Sequence, residues 1–227
     1  MFYQNISEGV FCRRPNRFIA EVEIGGRQEV CHVKNTGRCA ELLIPGVKVY
    51  LDKQDKPNRS TKYDLIAVDK AGALINIDSQ APNQVFGEYL RTGAYLEGLS
   101  LVKPEARFGS SRYDFYVEAG LRRVLIEVKG VTLEECGVAL FPDAPTLRGV
   151  KHLRGLSAHI AEGYEAHIVF VVQMSGVLCF KPNTRMHPDF GAALSAASEA
   201  GVKVAAFECA VEPDSLSLGK AVPVQIT

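Results

Sequence analysis

The sequence predicts two parts: an all-β barrel of OB type, or a similar small roll, over residues 1–81, and an α/β domain with a mixed sheet and flanking helices over 82–227. Three observations carry this. Five short segments with strand periodicity, divided by turn residues, fill the N-terminal part. A polar, Pro-containing stretch at 79–83 interrupts them and reads as a linker. Beyond it, helical and strand periods follow one another in the order α-β-β-β-α-β, with a further α-β appended. At 227 residues and 47% hydrophobic composition the chain can bury one large core or two modest ones.

Taken in order, residues 18–24 alternate with a period of two, Gly25-Gly26 marks a turn, and 29–33 supplies a hairpin partner. Further strands are expected at 48–51, 63–68 and 73–77, each bounded by Gly, Pro, Asp or Asn. A helix follows at 83–91, with Gly93 near its end. Strands at 99–106, 112–118 and 123–129 are separated by Gly109-Ser-Ser and Ala119-Gly120. The next helix spans 146–162, with Pro145 suited to its first turn and Gly163 to its stop. The run at 168–172 reads as a buried strand, 188–200 as a helix ended by Gly201, and 202–208 as another strand.

Composition narrows the function. Lys plus Arg and Asp plus Glu balance at 26 each, so a nucleic-acid partner has to be met by a local patch and not by overall charge. The opening residues lack an apolar core of signal-peptide length, and the apolar run at 168–172 is too short to span a bilayer, which predicts a cytoplasmic protein without membrane contact. Six scattered Cys, with no CxxC pair and no Cys/His zinc spacing, predict reduced thiols with no disulfide partner. Dinucleotide, Walker, nucleophile-elbow and zinc-protease motifs are absent, and His32, His167 and His187 read as structural or surface residues. A Ser or Cys nucleophile assembled from distant residues stays open.

One constellation points to chemistry. Asp114 lies in one strand, and Glu127 and Lys129 lie in the next, projecting from one face because side chains alternate. If the two strands form a hairpin, Asp114 reaches that face. Two carboxylates repel unless a cation lies between them, and Mg²⁺, or Mn²⁺, with its preference for hard oxygen ligands, fits them. The backbone carbonyl of Val128 is a further candidate ligand. Lys129 beside such an ion can orient a water and stabilise charge on a phosphoryl oxygen, the logic of a metal-dependent phosphodiesterase. The competing reading is an ordinary surface ion pair.

Two basic groups suit a polyanion. On the second helix a 100° step gathers Arg148, Lys151, His152 and His159 on one side, opposite Val150, Leu153, Leu156 and Ile160; the alternative is a solvated face. Asp143 suits the helix start. In the barrel, Arg13, Arg14, Arg17, Lys34 and Arg38 lie near Tyr3, Phe11 and Phe18. OB-type domains grip single strands with such basic grooves, although Phe18 reads more readily as core and Asn35-Thr36-Gly37 as a turn.

Several long tracts make the sequence recognisable: Glu105-Ala-Arg-Phe-Gly-Ser-Ser-Arg-Tyr-Asp-Phe115, Glu127-Val-Lys-Gly-Val-Thr-Leu133, Phe141-Pro-Asp-Ala-Pro-Thr-Leu-Arg-Gly-Val-Lys-His-Leu153, and, in the first part, Arg13-Arg-Pro-Asn-Arg-Phe18, His32-Val-Lys-Asn-Thr-Gly-Arg38 and Glu41-Leu-Leu-Ile-Pro-Gly46. Together they resemble the sugar fermentation stimulation protein family over nearly the whole chain. The resemblance implies an N-terminal OB-like domain, a C-terminal PD-(D/E)xK nuclease-like domain, and DNA as partner, with a role in regulating sugar (maltose) metabolism. By position it places Asp114, Glu127 and Lys129 on the catalytic motif, Asp114 and Glu127 as metal ligands, and Glu105 as a third ligand with Glu88 as its rival. It also favours Asn35, Arg38, Arg112, Arg148 and His152 as nucleic-acid contacts. Two positions depart from the family pattern, Cys39 in place of Met and Met174 in place of Arg.

Overall fold

The computed structural model describes residues 1–35, 37–55, 59–109 and 111–226. Thr36, in the expected turn, and Ser110, between two expected strands, lie outside them. The N-terminal part contains β1 (Ile6–Asn16), β2 (Ile19–Ile24), β3 (Arg27–Val33), β4 (Lys48–Lys53), β5 (Tyr63–Lys70) and β6 (Ala73–Asn76). They run in the order β3-β2-β1-β4-β5-β6, and a parallel pairing of β3 with β5 closes the first five into a barrel. The expected five strands therefore need correcting: β6 stands outside the closed ring, and the fifth barrel strand is β1. Its register shifts between Phe11 and Arg13 and again between Arg13 and Asn16, so its buried residues do not keep the two-residue period. Phe18 falls in the turn before β2 and is 45% exposed, so it is not core, although Ala20 and Val22 after it are buried in the expected phase.

The second part comprises α1 (Ala81–Arg91), β7 (Leu99–Phe108), β8 (Ser111–Ala119), β9 (Arg122–Val131), β10 (Leu133–Glu135), β11 (Val138–Phe141), α2 (Leu147–Ala161), β12 (Glu165–Val172), β13 (Cys179–Pro182), α3 (Pro188–Glu199), β14 (Lys203–Glu212) and β15 (Ser215–Ala221). The main sheet has the order β15-β14-β12-β9-β8-β7. Its β7-β8-β9 meander is antiparallel, β9-β12-β14 are parallel, and β15 returns antiparallel. A small sheet, β10-β11-β13, stands beside it. These three strands have three or four residues each, too few to show a period, and β15 buries only Leu216. Helix α2 starts where Thr146 Oγ1 accepts the Gly149 N–H at 3.0 Å, so Pro145 precedes the cap and does not lie in the first turn. Gly163, at φ +83°, lets the chain leave the helix.

Two apolar layers hold the sheet. On one face α1 packs Val85, Phe86 and Leu90 against Phe115, Val117, Ile126 and Val128. On the other, Leu153 and Leu156 of α2 meet Tyr113, Leu125, Ile168 and Phe170, and this core continues through Val131 and Met174 into the barrel interior at Phe11, Val33 and Leu65. The stretch expected as a linker is tightly held: Ala81 and Pro82 are buried in the first turn of α1. Buried Gln173 also joins the two parts, donating from Nε2 to Asn76 Oδ1 at 2.9 Å and to the Asp78 carbonyl at 3.0 Å. Gly130 sits at this junction, where an added Cβ would lie 2.6 Å from Gln173 Oε1 and 2.7 Å from the Pro82 ring. Neither can move freely, so Gly130→Ala is expected to destabilise the fold by about 1–3 kcal/mol, measured as a lower urea midpoint with an unchanged slope.

Candidate functional site

The β8–β9 ladder runs from Ala119 and Arg122 to the pair Phe115 and Ile126 and ends there. Asp114 comes next. Its carboxylate takes over where the ladder stops: Oδ2 accepts the Val128 N–H at 2.7 Å, and Oδ1 accepts from Asn83 Nδ2, on α1, at 2.7 Å. On the neighbouring strand Glu105 adopts φ +53°, a left-handed kink between the pairs Pro104–Phe115 and Ala106–Tyr113. Two strand irregularities thus open the sheet beside Asp114, which lines a cleft of about 470 Å³ with Gln80, Asn83, Gln84, Glu88 and Glu105.

Glu127 is buried at 2% exposure. Its Oε1 is held by Lys129 Nζ from its own strand and by His152 Nδ1 from α2, while its Oε2 has no hydrogen-bond partner. An unsatisfied buried carboxylate oxygen is costly, and a bound cation is one way to satisfy it. The two acids are tuned apart. Burial, then the charge of Glu127, pushes Asp114 up to about 6, against the opposing pull of Val128 N–H, Lys129 and Asn83. Burial also pushes Glu127 upward, but His152 and Lys129 outweigh it and hold this carboxyl below its usual range. Glu127 does not line the cleft that Asp114 borders, but its charge acts on Asp114, and such divergence between two coupled acids marks a site suited to proton or metal chemistry.

The structure places Asp114 on β8 and Glu127 and Lys129 on its antiparallel neighbour β9, as the hairpin argument expects, but Asp114 bonds Asn83 of α1 while Glu127 bonds His152 of α2, on the other side of the sheet. It does not complete the expected three-carboxylate set: among the described residues no three His, Cys, Asp or Glu side chains group as a cation cage. Glu105 borders the cleft but is drawn to Arg112 at 2.9 Å, both about half exposed. Its rival Glu88 borders the same cleft and binds the Met1 ammonium group at 2.8 Å.

The basic residues divide sharply. Arg13 is paired with Glu21 through two contacts of 2.8 and 2.6 Å. Arg14 donates to the carbonyls of Arg17, Asn35, Gly37 and Arg38 at 2.5–2.9 Å, so it ties down the following loop and offers little to a ligand. Asn35 does the same locally, accepting the Gly37 N–H at 2.7 Å and donating to the Ile77 carbonyl at 3.0 Å. Arg17 lies over the Phe18 ring, and Arg38 is exposed. Arg148 is exposed, with Nε 3.5 Å from His152 Nε2. His152 is buried against Glu127 and so faces the acids and not solvent. Phe11 is core, which removes it as a stacking surface, and Lys34 is paired with Asp78. Of the two departures, Cys39 is buried at φ +46° and Met174 is packed in the core. Asn83 as the partner of Asp114 was not legible in the sequence beyond being a polar residue in the first turn of a helix that packs on β9.

An OB-like barrel joined to an α/β domain with a mixed sheet is the class of protein that this fold defines. Residues 12–77 match the family model described as the SfsA N-terminal OB domain, and residues 80–215 match the sugar fermentation stimulation protein RE domain. A sugar fermentation stimulation protein homolog of Desulfitobacterium hafniense strain Y51 is 58% identical over 226 residues, covering 100% of this chain and 99% of the relative. A homolog from Clostridium beijerinckii is 53% identical, covering 96% of each chain. The solved structure of Pyrococcus furiosus SfsA in complex with Ca²⁺ superposes with a TM-score of 0.90 at 30% identity, over 99% of this chain and 98% of that one. The chain belongs to the sugar fermentation stimulation protein family. No helix among its described residues is long and apolar enough to cross a membrane.

Proposed function

We propose that this protein binds DNA and hydrolyses phosphodiester bonds with the help of Mg²⁺ or Mn²⁺ at Asp114, Glu127 and Lys129. The observation that carries this reading is the buried, unpartnered Oε2 of Glu127 beside a second carboxylate that is itself fixed at both oxygens. The donor set suits a hard cation that keeps several waters and takes one or two protein carboxylates together with substrate phosphate. The relative from Pyrococcus furiosus, solved with Ca²⁺, lends support from a chain of the same fold.

When bound, the cation would supply charge neutralisation at the phosphoryl group and a more acidic water. Asp114 and Glu127 would hold it, with the Val128 carbonyl as a further oxygen donor. Lys129, anchored on Glu127, stands ready to orient a water and to stabilise negative charge developing on a phosphoryl oxygen. His152 keeps Glu127 Oε1 occupied, so that Oε2 is the oxygen left for the ion.

Single-stranded, duplex and branched DNA, and RNA, each incubated with Mg²⁺ or Mn²⁺, provide the test. Cleavage of at least one substrate that disappears with EDTA is the expected result. No cleavage of any of them would overturn the catalytic reading and leave a DNA-binding regulator of sugar (maltose) metabolism whose nuclease-like site is silent.

A further inference from the structure

Resting on that reading, we propose that the nucleic-acid backbone is held along the exposed side of α2 by Arg148 and Lys151, and not chiefly by the arginines of the barrel. A cation contributes most to phosphate binding when no carboxylate already neutralises it, because the gain comes from releasing the counterions of the polyanion. By that criterion the barrel offers Arg17 and Arg38, which form no ion pair among the described residues, but not its other arginine candidates. Arg13 is paired with Glu21, the Arg14 guanidinium is engaged by four carbonyls, and beside the cleft Arg112 is paired with Glu105.

Helix α2 differs. From Leu147 to Ala161 it contains Arg148, Lys151 and Arg154 and no acidic residue. All three are exposed, and among the described residues none forms an ion pair. Position along the helix selects two of them. Arg148 lies one turn before His152 and within 3.5 Å of it, and His152 touches Glu127, so Arg148 stands at the edge of the catalytic acids. Lys151 is its neighbour at i+3. Arg154, further along, borders a cleft with Asp189 of α3 and is left out of the track. Backbone contacts of this kind carry no base preference, so the surface fits a sugar-phosphate strand of any sequence.

Fluorescein-labelled single-stranded and duplex DNA, titrated in EDTA over a range of NaCl concentrations, tests binding apart from catalysis. Arg148→Ala and Lys151→Ala should each reduce the slope of log K against log salt by about 0.7–0.9, and the double variant by about twice that. Arg148→Lys should restore most of the slope, and Arg27→Ala, in the exposed hairpin of the barrel, should leave it unchanged. Slopes equal to wild type in both α2 variants, or the same loss in Arg27→Ala, would overturn the proposal. A reduced slope with no metal-dependent cleavage would support the track while removing the catalytic reading. Cleavage with unchanged slopes would do the reverse.

Discussion

Glu127→Gln is expected to abolish divalent-dependent cleavage and to remove tight Mn²⁺ binding, measured directly by electron paramagnetic resonance of free Mn²⁺. The substitution keeps the size of the side chain and removes its charge, so the unpartnered oxygen at Oε2 becomes part of a neutral amide. Two partners arranged around a carboxylate, Lys129 and His152, are then left facing a group that no longer balances them. Lys129→Met should lower the cleavage rate on the order of 10²–10³-fold, the effect of removing one group that stabilises transition-state charge. His152→Ala should act through Glu127 instead, weakening Mn²⁺ affinity about 10–100-fold, as loss of a supporting partner does, with partial recovery in His152→Gln. Wild-type cleavage by the Glu127→Gln variant would remove this site from the chemistry altogether.

The features legible in the sequence were those whose signal is local. The apolar runs of β9 and β12 stood out because both strands are buried on two faces, and the Asp114–Glu127 pairing followed from two strands separated by a short turn. The features that escaped depend on contacts between distant residues or on broken periods. Strand β1 shares its length between two neighbours and carries register shifts, so its pattern does not alternate cleanly. Arg14 looked like a phosphate contact because its role is set by carbonyls up to 24 residues away. The same limit applies to Asn83, 31 residues from Asp114, and to His152, 25 residues from Glu127. A charge stripe on a helix identifies a face but not what covers it: His152 lies inside, against the acids, while Arg148 and Lys151 of the same stripe lie outside.

Asp114→Asn is expected to raise the stability of the metal-free protein at pH 7 while destroying activity. Asp114 titrates at about 6 in the folded chain against an ordinary 3.8, with burial as the main cause. Between those values the folded state binds more protons than the unfolded one, so stability falls as pH rises from about 4 to about 6 and stays low above that range. The difference of about two pH units corresponds to about 3 kcal/mol. An amide at this position escapes the penalty. It can still accept the Val128 N–H, and a flipped Asn83 can accept from its NH₂. His167, which burial holds below its usual value, works in the opposite sense, losing stability as pH falls through about 6.5. The informative quantity is therefore the difference between wild type and Asp114→Asn. In thermal melts in EDTA, that difference should grow from near zero at pH 4 to its full size by pH 7. Mn²⁺ should reverse it: the wild type, and not the variant, gains thermal stability on binding, with an apparent affinity that declines about tenfold per pH unit below 6 because the ion competes with one proton. A variant that melts below wild type at pH 7 in EDTA would mean that the two hydrogen bonds to Asp114 outweigh its desolvation, and that the fold does not carry this carboxylate under strain.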